Sequence, residues 1–331
     1  MTSPAPWPST TGHAYTSRRR FKAPVALAVA VVAFGVALVM TVVVTIIWFF
    51  VGRTPPPVSD TLIQPDHCVA VANEYKGTMT PEQAGNAAII VGESIRRGLP
   101  ARAASIALVT AWQESSLRNL NYGDRDSLGL FQQRPSQGWG TPEQIMDPWY
   151  AAGKFYDEMV KVKNWQTREL GDVAQAVQRS AYPDLYAKHE SPARAWASNL
   201  RGETMAQLTC VANEGNGGGG DELVTLLTTI WGDKLTITNQ GTVIDITAPD
   251  QTTAWAVAQI SMAGLAGHGL TSIKVGCLQW THKVTSPAQW VNVTMVPPVQ
   301  PTPSASATGA SPQPEPGPTC AGDTHVIVTL R

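Results

Sequence analysis

The spacing of apolar and polar positions divides the chain into stretches of different period. Residues 23–52 carry no charged side chain and are almost wholly apolar. A bilayer core needs about 20 such residues, so the pattern predicts a single spanning helix. Further on, Thr80-Pro-Glu-Gln83 reads as a capping box with proline at the first helical position. It opens a run with apolar residues at Ala84, Ala88, Val91 and Ile95, which Gly98 and Pro100 stop. The stretch from Ala101 to about Leu117 is apolar on most sides, which predicts a central helix. Periodicity then breaks at Asn119, Asn121, Gly123, Asp124 and Asp126, a turn-prone loop leading to a short extended piece or small hairpin around Leu128 to Gln132. Helices are expected to resume after Thr141-Pro142 and Asp147-Pro148, from Asp172 to Tyr182, and after Ser191-Pro192.

Beyond residue 221 the period changes. Val243 to Thr247 alternates as a strand, Thr252 to Ala266 as an amphipathic helix, and further strands are expected at Ser272 to Val275, Trp290 to Thr294 and His325 to Leu330. The expected fold class is α+β: a transmembrane helix, a mostly α domain, then a small α/β domain. The boundaries read as a cytoplasmic tail at 1–22, the span at 23–52, a Pro-rich spacer at 53–65, the α domain at 66–211, a Gly-rich linker at 212–221 and the last domain at 222–331. Within the last domain, 297–318 is Pro- and Ser-rich and lacks the composition of a packed core.

Charge adds direction. Arg18, Arg19, Arg20 and Lys22 precede the span and only Arg53 follows closely, so the N-terminus is expected in the cytoplasm and the rest outside. The expected location is the cell membrane, single-pass. A net charge of −1 gives no basic field, so nucleic acid is not an expected partner. Cys68, Cys210, Cys277 and Cys320 all fall on the exported side without C-x-x-C spacing, and disulfides are expected. Of three pairings, Cys68 with Cys210 and Cys277 with Cys320 would each close one domain. The six histidines show no metal-like spacing, and no metal or cofactor is expected.

The candidate chemistry centres on Glu114. A carboxyl held against the apolar run Ala103 to Ala111 resists ionisation, and a protonated carboxyl at neutral pH can protonate a sugar leaving group. Asp124 and Asp126 are candidate second carboxylates, each equally an ordinary turn former. Trp139, between Gly138 and Gly140, lies outside regular structure where its ring could stack on a sugar. Gln132 and Gln133 are candidate donors to N-acetyl groups, with a surface role as open for Gln133.

The run Ala107-Leu-Val-Thr-Ala-Trp-Gln-Glu-Ser-Ser-Leu117, followed by Gly129-Leu-Phe-Gln132, resembles the Glu-Ser and Gly-Leu-Met-Gln motifs of soluble lytic transglycosylases and goose-type lysozymes. It looks most like the membrane-anchored lysozyme-like domains of actinobacteria, over roughly residues 66 to 211. The resemblance implies a catalytic acid at Glu114, a neighbouring polar residue at Ser115 and a substrate-cleft segment at Gly129, Phe131 and Gln132. It also implies a cleft-lining motif at Ser180-Ala-Tyr182, with Tyr182 facing Glu114. The chain departs from that pattern at Ser127-Leu128, where Gly-Ala is usual, and at Pro183, where Asn is usual. The implied activity is cleavage of the β-1,4 bond between N-acetylmuramic acid and N-acetylglucosamine. If no second carboxylate reaches the cleft, Glu114 alone would act as acid and then base, leaving an anhydro-sugar. The competing expectation is a non-catalytic peptidoglycan-binding or scaffold component of an envelope-spanning conjugation or secretion assembly, with residues 222–331 contacting protein partners.

Overall fold

The computed structural model describes residues 40–41, 66–179, 183–212, 219–293 and 323–331. The tail, the spacer and all of the expected span except Met40 and Thr41 lie outside these residues, as do the Gly-rich run 213–218, the Pro-rich segment 297–318, Cys320 and Tyr182. Among the described residues no helix is long and apolar enough to cross a membrane.

The chain forms a mixed α+β fold. A hairpin opens it: β1 (His67–Ala72) and β2 (Tyr75–Met79) pair antiparallel, and the turn places Asn73 at φ +52°, a conformation asparagine tolerates. Strand β3 (Leu208–Val211) adds to the other side of β1, giving the order β2-β1-β3. This three-stranded sheet was not among the elements expected of the mostly α region. Cys68 and Cys210 sit directly opposite each other in the β1–β3 register and are disulfide-bonded, 142 residues apart in sequence. In the loop-entropy account such a closure stabilises by about 4–5 kcal/mol. Cys277 is also disulfide-bonded; its expected partner, Cys320, is outside the described residues.

Three of the helices start where their caps predict, whereas the helix expected after Ser191-Pro192 already begins at Glu190 and the one expected from Asp172 begins at Leu170. Thr80 and Gln83 form the capping box of α1 (Pro81–Arg96), each side chain bonding the other's backbone N–H. Next comes α2 (Ala101–Ser115), buried at every position from Ala103 to Ala111 and therefore central. Its end is marked by Ser116 and Leu117, both at positive φ. Thr141 and Gln144 cap the short α3 (Pro142–Ile145), and Asp147 caps α4 (Pro148–Met159). Helix α5 (Leu170–Gln178) is capped by Arg179, at φ +54°, three residues before the expected boundary at Tyr182. After two 3-10 turns comes α6 (Glu190–Leu200), packed on α2 and on β1 and β2.

The remainder comprises α7 (Gly220–Trp231), β4 (Thr236–Asn239), β5 (Val243–Thr247), α8 (Gln251–Gly264), β6 (Leu270–Val275), β7 (Leu278–Thr281), β8 (Val291–Asn292) and β9 (His325–Leu330). The strands form one six-stranded sheet in the order β4-β5-β9-β6-β7-β8. Every pairing among the described residues is antiparallel, so they contain no parallel crossover of the kind an α/β unit implies. One sheet face, with Ile244, Ile246, Ile273, Val326 and Val328, is buried; Asp245, Lys274 and His325 lie at positions that remain accessible.

Among the described residues, those from Asp66 to Arg331 pack as one compact unit, with contacts linking the two sides of the Gly-rich segment. Helix α8 is buried at every position from Ala254 to Ala263 and packs against α1, α6 and the large sheet. The Gln259 amide nitrogen donates to the carbonyls of Asn199 (2.6 Å) and Thr204 (2.9 Å). Trp280 and Trp290 donate from their indole nitrogens to Thr209 and Leu208 on β3. Gly202, at φ +73°, is required for this approach, since a Cβ there would meet the Thr252 carbonyl oxygen at 1.9 Å. A hydrophobic core runs without interruption from the α1–α2 layer into the large sheet.

Candidate active site

Glu114 is the penultimate residue of α2, and the loop that follows pins the helix end. The Ser115 hydroxyl is buried, 2.7 Å from the Leu130 carbonyl and 3.0 Å from that of Ala111. Leu128 and Gln133 exchange two backbone hydrogen bonds, closing the tight turn that the sequence suggested as a small hairpin. Gly129 sits in it at φ +76°, with the Ile145 carbonyl 2.6 Å from where a Cβ would lie, so no other residue fits. Leu117, Leu130 and Phe131 plug the space beneath, and Phe131 stacks on Phe155 with ring centroids 4.7 Å apart.

These contacts change what the expected cleft residues offer. The side chains of Ser115 and Phe131 turn into the core, and Gly129 has none, so this segment shapes the site through its backbone. Gln132 is partly buried and its amide donates to the carbonyls of Gly129 (3.2 Å) and Tyr122 (3.3 Å), bracing the turn. Gln133 is fully buried and donates to the Ala151 carbonyl, so it is neither a surface residue nor a ligand donor.

Glu114 itself is partly buried. The Tyr186 hydroxyl, on a side chain with no solvent exposure, donates to Glu114 Oε1 at 2.6 Å. Gln178, at the end of α5, contributes a second hydrogen bond to Glu114 and donates to the Phe131 carbonyl at 2.7 Å, tying α5 to the loop. Burial raises the Glu114 pKa above its ordinary value, and the hydrogen bonds from Tyr186 and Gln178 act against that shift. The net direction is upward because no cation offsets the lost hydration. The contrast is Glu93 on α1, which is also buried but is ion-paired with Arg96 and Arg97 and thereby fixed in a structural role. Beside the acid, His189 stacks on Trp112 and its Nε2 lies 3.2 Å from Gln113 Oε1. Burial, with a smaller contribution from the Lys188 charge, pushes its pKa down to about 4, so the imidazole is neutral at neutral pH.

No family model and no curated protein sequence matches the chain.

The two candidate second carboxylates are engaged elsewhere. The Ser136 hydroxyl, the Ser136 backbone N–H and the Arg134 guanidinium hold the Asp126 carboxyl well below the usual carboxylate range. This makes Asp126 a brace between two turns. Asp124 has a side chain 92% exposed, with only a loose 3.9 Å approach to Arg125. Neither Asp contributes to the shift at Glu114.

Trp139 is partly buried, and the conformation around it is fixed. Gly138 and Gly140 have φ of +81° and +140°, and the Tyr150 hydroxyl donates to the Trp139 carbonyl at 3.2 Å. Trp139 lines a polar groove of about 680 Å³ with Lys154, Glu158, Lys161, Gln178 and Arg179 among its other walls. That volume lies within the range of about 300–1,000 Å³ usual for small-molecule sites. Glu114 does not line this groove; Gln178 joins the two, lining the groove while hydrogen-bonding the acid. A second cavity of about 770 Å³ between α1, α7 and α8 is remote from these residues in its lining. Among the described residues no group of His, Cys, Asp and Glu could hold a metal ion.

Tyr186, Gln178 and His189 are the residues that sequence reasoning missed. Tyr182, expected to face the acid, lies outside the described residues; Tyr186, four positions later, bonds the acid from an irregular segment with no periodic signal.

Proposed function

We propose that the protein is a peptidoglycan-cleaving enzyme of lytic-transglycosylase type, held at the membrane by residues 23–52, with Glu114 as its single general acid and base. The observation that carries this reading is a partly buried carboxyl whose pKa burial raises, clamped by Tyr186 and Gln178 and, among the described residues, without a cationic partner. With Tyr186 donating to Oε1, the catalytic proton belongs on the other carboxyl oxygen. Glu114 gives that proton to the glycosidic oxygen between N-acetylmuramic acid and N-acetylglucosamine, and the C1–O bond breaks with its electron pair leaving on oxygen. The Glu114 carboxylate then takes the proton from the C6 hydroxyl of the same sugar, whose oxygen bonds to C1 and closes an anhydro ring. Each proton lost by Glu114 is returned, and no water is consumed. The engagement of Asp126 and the solvation of Asp124 favour this route over hydrolysis, which uses a second carboxylate to activate water or to attack C1.

The decisive experiment is muropeptide release from purified peptidoglycan, read by mass spectrometry. Wild type is expected to release anhydro-ended products, and Glu114→Gln to lose about 10²- to 10⁴-fold in rate. Reducing ends would replace transglycosylation with hydrolysis, and undiminished release by Glu114→Gln would end the reading. The same substitution is expected to raise Tm at neutral pH. A carboxyl whose folded pKa lies above its unfolded value favours the native state below that unfolded value, and the benefit is lost as pH rises through the folded pKa. The Tm advantage of Glu114→Gln should therefore vanish in acid.

A further inference from the structure

The groove beside the acid carries a charge pattern that cleavage of the sugar backbone alone does not require. Of its charged walls, Glu158 and Lys161 neutralise each other at 2.7 Å. Lys154 lies 5.7 Å above the Tyr150 ring, and Arg179 is exposed at the end of α5; among the described residues neither is ion-paired with a carboxylate. The groove thus holds two uncompensated cations in a protein whose net charge is −1. They line the groove together with Trp139 and with Gln178, whose side chain also hydrogen-bonds the acid. A flat indole for a sugar ring and two cations for anions form one continuous lining.

We propose that this groove binds carboxylates carried on the substrate's sugar substituents, so that the preferred substrate is an anionic glycan rather than a neutral one. Lys154 and Arg179 are the charge partners, Trp139 is the stacking surface, and Gln178 links occupancy of the groove to the position of Glu114. The inference rests on the glycan-cleaving reading and names its substrate class: strands whose stem peptides retain free carboxylates, in preference to strands whose stems are amidated or absent. Guanidinium and ammonium groups suit this task because each attracts a carboxylate while its stem packs against apolar surface.

The test uses the full-length chain in detergent with Glu114→Gln, so that ligand is not consumed. Calorimetry compares a peptidoglycan fragment bearing free stem carboxylates with the same fragment after chemical amidation. The acidic fragment should bind about tenfold more tightly, the combined effect of two solvent-reaching charge pairs, and the preference should shrink at high salt. Adding Lys154→Gln and Arg179→Gln should abolish the preference while leaving affinity for the amidated fragment unchanged, and Arg179→Glu alone should reverse it. Equal affinity for the two fragments, no binding of either, or a preference that survives the double substitution overturns the inference. The two readings fail separately. Selective binding without product release by the wild type would remove the cleavage reading and leave the groove standing, and release at equal KM from acidic and amidated strands would do the opposite.

Discussion

Helices α2 and α8 are both buried over nine or more successive residues, and both carry one conspicuous polar group, yet the groups are treated in opposite ways. In α8 the polar group is Gln259, fully buried near the middle, with its amide nitrogen bonded to two backbone carbonyls from the α6 end and the loop beyond it. In α2 it is Glu114, near the C-terminal end, partly exposed, bonded to a tyrosine and a glutamine and shifted toward its neutral form. A buried donor satisfied by backbone fixes architecture, because removing it strands the carbonyls it served. A desolvated acid with no counter-ion among the described residues gives up stability, which is the arrangement the proposed chemistry would use.

The strongest way to break that contrast is to remove the half that contains Gln259. A chain ending after residue 212 exposes the α8-facing sides of α1 and α6 and leaves the Asn199 and Thr204 carbonyls unmet, so no cooperative thermal transition is expected. A sharp transition with retained cleavage would show that residues 66–212 fold alone and that α8 is an appendage. A milder perturbation is Gln259→Leu in the whole chain, expected to cost about 2–3 kcal/mol in denaturant unfolding while leaving turnover per folded molecule intact. A drop in turnover with unchanged stability would assign Gln259 to the site instead. The smallest effect is expected from Tyr186→Phe. The Tyr186 bond lowers the Glu114 pKa, so its loss should raise that pKa further and move the alkaline limb of the activity profile to higher pH, with a rate change of about tenfold. An alkaline limb that stays in place would mean that the titrating group is not Glu114.

The helical framework and the partial burial of Glu114 were legible because their signals are local. Thr80, Thr141 and Asp147 each announce a helix by bonding backbone two or three residues away, and Glu114 announces itself by ending an apolar run. The β2-β1-β3 sheet was not legible, since His67–Ala72 alternates only among small side chains and its partner β3 comes from far along the chain. The packing across the expected domain boundary was hidden for a related reason. Composition marks Gly215 to Gly220 as a linker, but α8 is apolar on nearly all sides, and only the assembled structure shows that part of its surface covers α1 and α6. The clamp on the acid was invisible because Tyr186 lies between two short 3-10 turns.

The placement of β9 carries one more consequence. Because this strand fills the gap between β5 and β6, the chain up to residue 324 has two unjoined ribbons, β4-β5 and β6-β7-β8, each with an unpaired inner margin. Such margins invite pairing with other chains until they are sealed. Residues 325–330 therefore act as a zipper, and any product cut short before them should be prone to self-association.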